Sequence, residues 1–388
     1  MPQRFHIAFV MRLFSSQGGL ELYALKLIEG LLAAGHRITV ICESDHGELT
    51  HENLTVHKFS PPKKGARKWQ KIEHYRKAAS DAVASFGPFD IVHSQHFPLK
   101  KTDVVTFHNH TASRLSFVGY PFERVVNNFK LATVQAYKLR YKYDRELCQV
   151  ASMRIFVAEV MKDDFYNTYK LPPQAPYAIA HPGASLASAG EIKTEAAAAS
   201  EQFTFLFVGK GFRKKGLDTL FAACAALKAR GCNFRLLIAG LKEKPLQRLQ
   251  LKTKGISKEV VFLGYQKDMA SVYQQAGVIV LPSKMEPFGM APIQAMQYGL
   301  VPIVSAVCGV AEVLKNGHDS LLLQDHLNAI ELADLMEKLA GSSELFKKLS
   351  AQAKISAAKI TWDKTVEANV QAYERIDKER NKEGARVE

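Results

Sequence analysis

The sequence predicts an α/β protein made of two doubly wound parallel-sheet domains facing across a cleft. Short apolar runs alternate with amphipathic segments, the grammar of parallel strands crossed over by helices. The alternation occurs twice, on either side of Ala184–Gln202 (ASLASAGEIKTEAAAASEQ), a stretch low in bulky apolar residues. At 388 residues the chain is also too long for one ordinary core.

In the first half, Phe5–Met11, Arg37–Cys42, Leu54–Phe59, Asp90–His93, Asp103–Phe107 and Met153–Val157 are short and apolar, and each predicts a strand. Between the first two lies LELYALKLIEGLLAAG, where Leu22, Leu25, Ile28, Leu31 and Leu32 fall at helical spacing before Gly35 ends the segment. The second half repeats the pattern with Phe203–Val208, Phe234–Ala239, Val260–Leu263, Val278–Leu281, Val301–Ser305 and Ser320–Leu323. Ala184–Gln202 is expected to be a linker or surface insertion, with an isolated poly-Ala helix as the other option. Domain boundaries follow at 1–183 and 184–362. Residues 363–388 form a charged helix expected to pack back toward the first domain, with its last ten residues frayed.

Composition narrows the class. Hydrophobic residues make up 47% and charged residues 23%, an ordinary globular balance. No apolar run approaches the ~18 residues needed to span a bilayer. The start, MPQRFHIAFVMRLF, passes straight into a strand without a small-residue cleavage site, so no signal peptide is expected. Cys42, Cys148, Cys224, Cys232 and Cys308 are scattered and form no CxxC pair. They point away from a zinc site or disulfide framework and toward a reducing cytoplasm. Cys224 and Cys232 are expected to be buried as small hydrophobes. The formal net charge of +14 suggests a polyanionic partner: nucleic acid, anionic lipid or phosphorylated small molecules. No helix-turn-helix, finger or RNP-like phrase supports nucleic acid, and no nucleic-acid partner is expected.

Ligands of doubly wound sheets bind at the carboxyl ends of the strands, so the loops after strands carry the chemistry. Gly209–Lys210–Gly211–Phe212–Arg213–Lys214–Lys215–Gly216 enters a helix but matches neither a Walker A loop nor the GxGxxG fingerprint. It sets four cations at a helix amino end, where N–H groups and the helix dipole favour an anion. Spacing alone leaves a solvated basic turn equally open. Ser15–Ser16–Gln17–Gly18–Gly19 is the matching loop of the first half, either a close-approach site or a plain tight turn. After Val278–Leu281 comes PSKMEPFGMAPIQAM. Here Glu286 stands on the loop, Phe288, Gly289 and Met290 offer N–H groups at a helix start, and Gln294 follows about two turns after Glu286. Carboxylate and amide together suit hydroxyl-rich ligands.

These motifs resemble glycosyltransferase family 4, whose members have the GT-B fold of two Rossmann-like domains. The resemblance covers nearly the whole chain. Its strongest part is Val260–Leu323, with further matches in QGGLELYALKLIEGLLAAGHRITVI, FDIVHSQH and VVTFHNH. The loop GKGFRKKGLD and the phrase AVCGVAEVL are similar to the lipopolysaccharide-core glucosyltransferase branch. The resemblance implies a retaining, metal-independent hexosyl transfer from a nucleotide-diphosphate sugar, UDP-sugar favoured, to a glycan or lipid-linked acceptor. The chain holds no Asp-x-Asp pair. By match to the motif, Glu286 contacts donor-sugar hydroxyls and Phe288–Met290 supply backbone donors. Lys215 meets the leaving diphosphate, with Lys210, Arg213 and Lys214 beside it. His108 lies by the reacting sugar, Gly18 and Gly19 lie below the diphosphate, and Glu312 is the acidic residue near the end of the site. Without the resemblance, a lone strand-end histidine reads as structural. No residue is an obvious covalent nucleophile, so the resemblance implies front-face attack.

Three positions depart from the family pattern. Gln294 replaces the second glutamate, which usually grips the ribose; a charged hydrogen-bonding group is worth about 1.5–3 kcal/mol against about 1 for a neutral one. Lys210 replaces an arginine and loses bidentate geometry. His181–Pro182–Gly183 stands for a Pro-Asn-Gly hinge phrase. A family member that binds without catalysing is the rival that Gln294 suggests. Two basic, aromatic stretches remain. Lys63, Lys64, Arg67, Lys68, Lys71 and Arg76 interleave with Trp69 and Tyr75, and a second stretch runs from Lys130 to Arg145. They predict reversible docking on the inner face of the cytoplasmic membrane, against the alternative of a solvated face.

Overall fold

A computed structural model describes residues 3–114, 121–184 and 202–384. The chain divides into two compact units, Met1–Gly183 with Trp362–Glu388, and Ala184–Thr361. Most of the expected linker, 185–201, lies outside the described residues.

The first unit contains β1 (His6–Val10), β2 (Leu13–Phe14), α1 (Gly19–Ala33), β3 (Arg37–Cys42), β4 (Ser44–Asp45), β5 (Leu54–Lys58) and α2 (Lys68–Phe86). It continues with β6 (Ile91–Ser94), β7 (Val104–Phe107), α3 (Pro121–Thr133), α4 (Gln135–Val150), β8 (Met153–Phe156), α5 (Glu159–Tyr169) and β9 (Tyr177–Ile179). Seven strands form one parallel sheet in the order β5-β3-β1-β6-β7-β8-β9, and β2 pairs with β4 beside it. The sheet centre is covered on both faces, so Ile7–Val10 and all of β7 and β8 are buried. That is why these strands read as continuous apolar runs rather than as alternation. The two-residue strands and the short edge strand β9 have no such signature and were not anticipated.

The helix Trp362–Gly384 belongs to this unit. It crosses α1 at Gly30, where a Cβ would stand 2.3 Å from Val366 Cγ2; only a bare Cα permits that approach. Its own Asn369 and Tyr373 are fully buried, and its Thr365 Oγ1 donates to the His181 carbonyl at 2.6 Å. The helix runs on through Gly384, into the stretch expected to fray, because Arg380 donates to Asp90 O at 2.8 Å and pairs with Asp103.

The second unit has a six-stranded parallel sheet, β12-β11-β10-β13-β14-β15. In chain order these are β10 (Phe203–Val208), β11 (Phe234–Ala239), β12 (Val260–Gly264), β13 (Val278–Leu281), β14 (Val301–Ser305) and β15 (Leu321–Leu323). Four match the expected bounds and the other two shift by one residue. The core joins Phe205, Phe207, Val278, Val280 and Ile303 to helices Leu217–Ala229 and Ala329–Ala340. Cys224 is buried there, but Cys232 is only half-buried, since it lies past the helix with Sγ 3.6 Å from Glu337 Oε1.

Candidate active site

In the second unit the basic loop after β10 is pressed against the end of β13. Gly216 adopts φ +72 as the cap of helix Leu217–Ala229, and a Cβ there would lie 1.8 Å from the Pro282 carbonyl oxygen. The backbone is fastened further on by Lys284 N–H, which donates to Lys214 O at 3.0 Å. Beneath it, the buried Lys284 ammonium pairs with Asp218 Oδ2 at 2.7 Å. These constraints bring Lys215 to Glu286, and the two form an ion pair, Nζ to Oε2. Residues 71 positions apart are thus joined by the loop's close approach to β13.

Beyond Glu286, the chain is held by the 3₁₀ turn Gly309–Val313: Gly309 N–H donates to Glu286 O at 3.2 Å and Val310 N–H to Phe288 O at 2.8 Å. Helix Met290–Gln297 then starts at Gly289, with no side chain capping it. Its first-turn N–H groups have no intrahelical acceptor and aim out of the helix start, a setting that favours anionic oxygens. Gln294 is half-buried and its Oε1 accepts from Tyr273 OH at 3.3 Å, so the amide is oriented by a neighbouring helix. Lys210 is exposed, with Nζ 5.9 Å from the Tyr265 ring centroid. Arg213 and Glu312 are exposed and Lys214 half-buried.

In the first unit, Gly18 and Gly19 are exposed at the start of α1. Ser16 N–H in the same loop donates to Glu48 Oε2 at 2.9 Å. One turn into α1, Tyr23 lies edge-on to His108, ring centroids 4.8 Å apart. His108 follows β7 and is almost wholly buried. Its Nε2–H donates to Gln95 Oε1 at 2.9 Å. Gln95 Nε2 in turn donates to His93 Nε2 at 3.1 Å, and His93 Nδ1–H donates to Tyr373 OH at 2.7 Å. The chain of bonds leaves the lone pair of His108 on Nδ1. Burial drives the His108 pKa well below the ordinary histidine range, and His96 and His93 add to the effect. Burial likewise lowers His93 to about 3. Both imidazoles are neutral at physiological pH.

A cavity of about 400 Å³ opens where β1, β6 and β7 end, lined among others by Arg12, Tyr75, Asn109, Arg140, Tyr143 and Asp144. His96 borders it in the left-handed region at φ +52, held by Asp144 at 3.2 Å. Strain of this kind in a non-glycine residue costs of order 1–3 kcal/mol and concentrates at functional sites. Sequence reasoning did not single out His96, Gln95, Lys284 or Tyr273. Gln95 and His96 sit in the phrase FDIVHSQH, polar residues directly after a buried strand, which was a usable signal. The two basic stretches meet each other through α2 and α4: Arg76 pairs with Glu146 at 2.6 Å and lies 4.4 Å from the Tyr143 ring, so Tyr75 and Tyr143 line the cavity instead of a surface.

Two parallel-sheet units, each with glycine-bearing loops at the carboxyl edge of its strands, define a GT-B fold. The chain is built of two glycosyltransferase domains: the model described as Glycosyltransferase Family 4 matches residues 17–187, and that described as Glycosyl transferases group 1 matches residues 189–356. The D-inositol 3-phosphate glycosyltransferase of Nocardia farcinica is 28% identical over 240 residues, 59% of this chain and 52% of that relative. The match therefore spans about half the relative's length. Among solved structures, WaaG, a glycosyltransferase involved in lipopolysaccharide biosynthesis, superposes with a TM-score of 0.74 at 18% identity, covering 94% of this chain and 98% of its own. Anabaena HepE in complex with UDP and glucose superposes at 0.68 and 15% identity, covering 96% and 100%.

Proposed function

We propose that the protein transfers a sugar from a nucleoside-diphosphate sugar, a UDP-sugar in the first instance, to a hydroxyl of a glycan or lipid-linked acceptor. Transfer proceeds with retention and without a metal ion. The observation that carries this is the meeting of Lys215 and Glu286 between a cationic loop and an uncapped helix start. A donor's diphosphate fits that combination: N–H groups of Gly289 and Met290 on one side, Lys210, Arg213, Lys214 and Lys215 on the other. On donor binding the Lys215 ammonium turns from Glu286 to the diphosphate, and the Glu286 carboxylate accepts hydrogen bonds from sugar hydroxyls. As the anomeric C–O bond to phosphate breaks, charge grows on the leaving oxygen and Lys215 stabilises it more than in the ground state. The acceptor oxygen bonds to the anomeric carbon on the same face and passes its proton to the departing phosphate. His108 is neutral and acts as a polar partner for the sugar, not as an acid.

The first-unit cavity suits the acceptor, since it mixes aromatic walls with Arg12, Arg140 and Asp144. The names of similar proteins favour a UDP donor, as in the HepE complex, and a polyol or envelope-glycan acceptor, as in the inositol phosphate and lipopolysaccharide enzymes. We assign the chain by that likeness to cell-envelope polysaccharide or lipopolysaccharide synthesis, and from its excess positive charge to the inner face of the cytoplasmic membrane as a peripheral protein. Gln294 favours one alternative, a member that binds a nucleotide sugar without turning it over. A hydrolysis screen of UDP-, GDP- and ADP-sugars in the presence of a chelator separates the two. Release of one nucleoside diphosphate, with the α-anomer of the sugar formed first from an α-linked donor, supports transfer with retention. Binding without release supports the alternative.

A further inference from the structure

The amphipathic pattern of α3 is inverted. Asn127 is fully buried, with Nδ2 donating to the Ser113 carbonyl, and Leu131 on the same side is half-buried. The opposite side carries Phe122, Val125, Val126 and Phe129, which are 84, 67, 46 and 66% exposed. Their spacing i, i+3, i+4, i+7 gathers them into one stripe. A polar residue inward and two phenylalanines outward is the reverse of what a water-facing helix needs, and a contiguous apolar face of this kind marks an interaction surface.

Charge selects the partner. From 121 to 145 the sequence holds six Lys or Arg residues against only Glu123 and Asp144. Asp144 is buried, within 3.2 Å of His96 and 3.3 Å of the Tyr169 hydroxyl. Helix α4, packed on α3, exposes Lys138, Lys142 and Arg145 at i, i+4, i+7. A second copy of a chain with net charge +14 would bring two such cationic rims together. An anionic bilayer pairs with them and also solvates the apolar stripe. Among the described residues no helix is long and apolar enough to cross a membrane, so contact would be at the surface.

We propose that the Phe122–Val125–Val126–Phe129 face of α3 inserts into the interfacial layer of an anionic lipid bilayer while the α4 cations sit on its headgroups. This rests on the peripheral-membrane part of the preceding proposal and gives it an element. The basic stretch Lys58–Lys77 is secondary here, since of its two interleaved aromatic residues Tyr75 faces the cavity and Trp69 is half-buried.

The test uses the full chain and vesicles of phosphatidylcholine with and without phosphatidylglycerol, in the absence of donor and acceptor. Wild type should float with anionic vesicles at low salt and lose most of that binding near 1 M salt, where the screening length falls to about 3 Å. Combining Phe122→Ser, Val125→Ser and Phe129→Ser should weaken binding at least about tenfold. Combining Lys138→Gln, Lys142→Gln and Arg145→Gln should weaken it about a hundredfold at low salt, from roughly fivefold per cation. Phe122→Trp, a single conservative change, should show blue-shifted emission on anionic vesicles above the signal of Trp69 and Trp362. Unchanged binding by the serine variant, or an unshifted Phe122→Trp signal on bound vesicles, overturns the proposal. So does a concentration-dependent dimer that the serine variant abolishes, which would mean a second copy covers the face. Nucleotide release measured separately in solution distinguishes a failure of docking from a failure of transfer.

Discussion

Gly216→Ala should be far more damaging than an alanine at another left-handed glycine. Gly231 provides the comparison: its φ of +79 is close to the +72 of Gly216, but nothing stands within 4 Å of its Cβ position. Gly231→Ala therefore costs only the left-handed strain of an L-residue, about 1–2 kcal/mol. At Gly216 the same methyl would sit 1.8 Å from Pro282 O, whereas contacts under 3.0 Å are essentially never seen. The loop or the end of β13 must shift by more than 1 Å, and such overpacking typically adds a further ~1–3 kcal/mol. At about 2–4 °C per kcal/mol for a unit of this size, Gly216→Ala should melt roughly 2–12 °C below Gly231→Ala. The shift also moves Lys215 off Glu286, and a 1 Å misplacement can cost about 10²-fold in turnover. Thermal melting and donor turnover of both variants decide the matter. Equal melting temperatures and equal turnover would refute the claim that this close approach builds the site.

Lys215→Ala should lower kcat more than it raises KM for the donor, because charge on the diphosphate grows as the bond breaks; a change in KM alone would make it a ground-state contact. Gln294→Glu should tighten binding of the free nucleoside diphosphate or leave it nearly unchanged in calorimetry, and markedly weaker binding would mean that the pocket, through Tyr273, is adapted to the amide. His93 and His108 make stability pH-dependent. Burial lowers both folded-state values, so below the unfolded value of about 6.5 the unfolded chain takes up protons that the folded one refuses. Stability is full above that pH and lost as pH falls, by up to about 2.7 kcal/mol per unit for the pair. Urea midpoints at pH 7, 6 and 5 should fall accordingly, and a flat profile would place the two imidazoles in water.

The parts of the fold that were legible in the sequence are those buried on both faces. β10 is apolar but for Thr204 and β13 is apolar throughout, each between turn residues, so their bounds could be read to the residue. β9 could not, because a three-residue edge strand with half-exposed side chains has no pattern to read. The candidate site was visible as two separate loops, and the resemblance gave their residues roles, but only the structure joins Lys215 to Glu286. That meeting depends on backbone contacts, Gly216 on Pro282 and Lys284 N–H on Lys214 O, which no side-chain spacing encodes. Likewise, Lys130–Arg145 read as one basic surface, but folding splits it. Tyr143 turns into the cavity and Lys138, Lys142 and Arg145 turn to solvent, while the apolar stripe lies just upstream on α3, where it reads as an ordinary core-facing helix.

The measurement that bears most directly on the account is nucleoside-diphosphate release from a UDP-sugar, with chelator present, by wild type and by Glu286→Gln. The substitution is nearly isosteric and should leave the melting temperature in place. Wild type should release UDP undiminished by chelator, and the variant should lose about 10²-fold or more. Wild-type turnover by Glu286→Gln, or release that chelator abolishes, would contradict the assignment of the chemistry to Glu286 and the Lys215 loop.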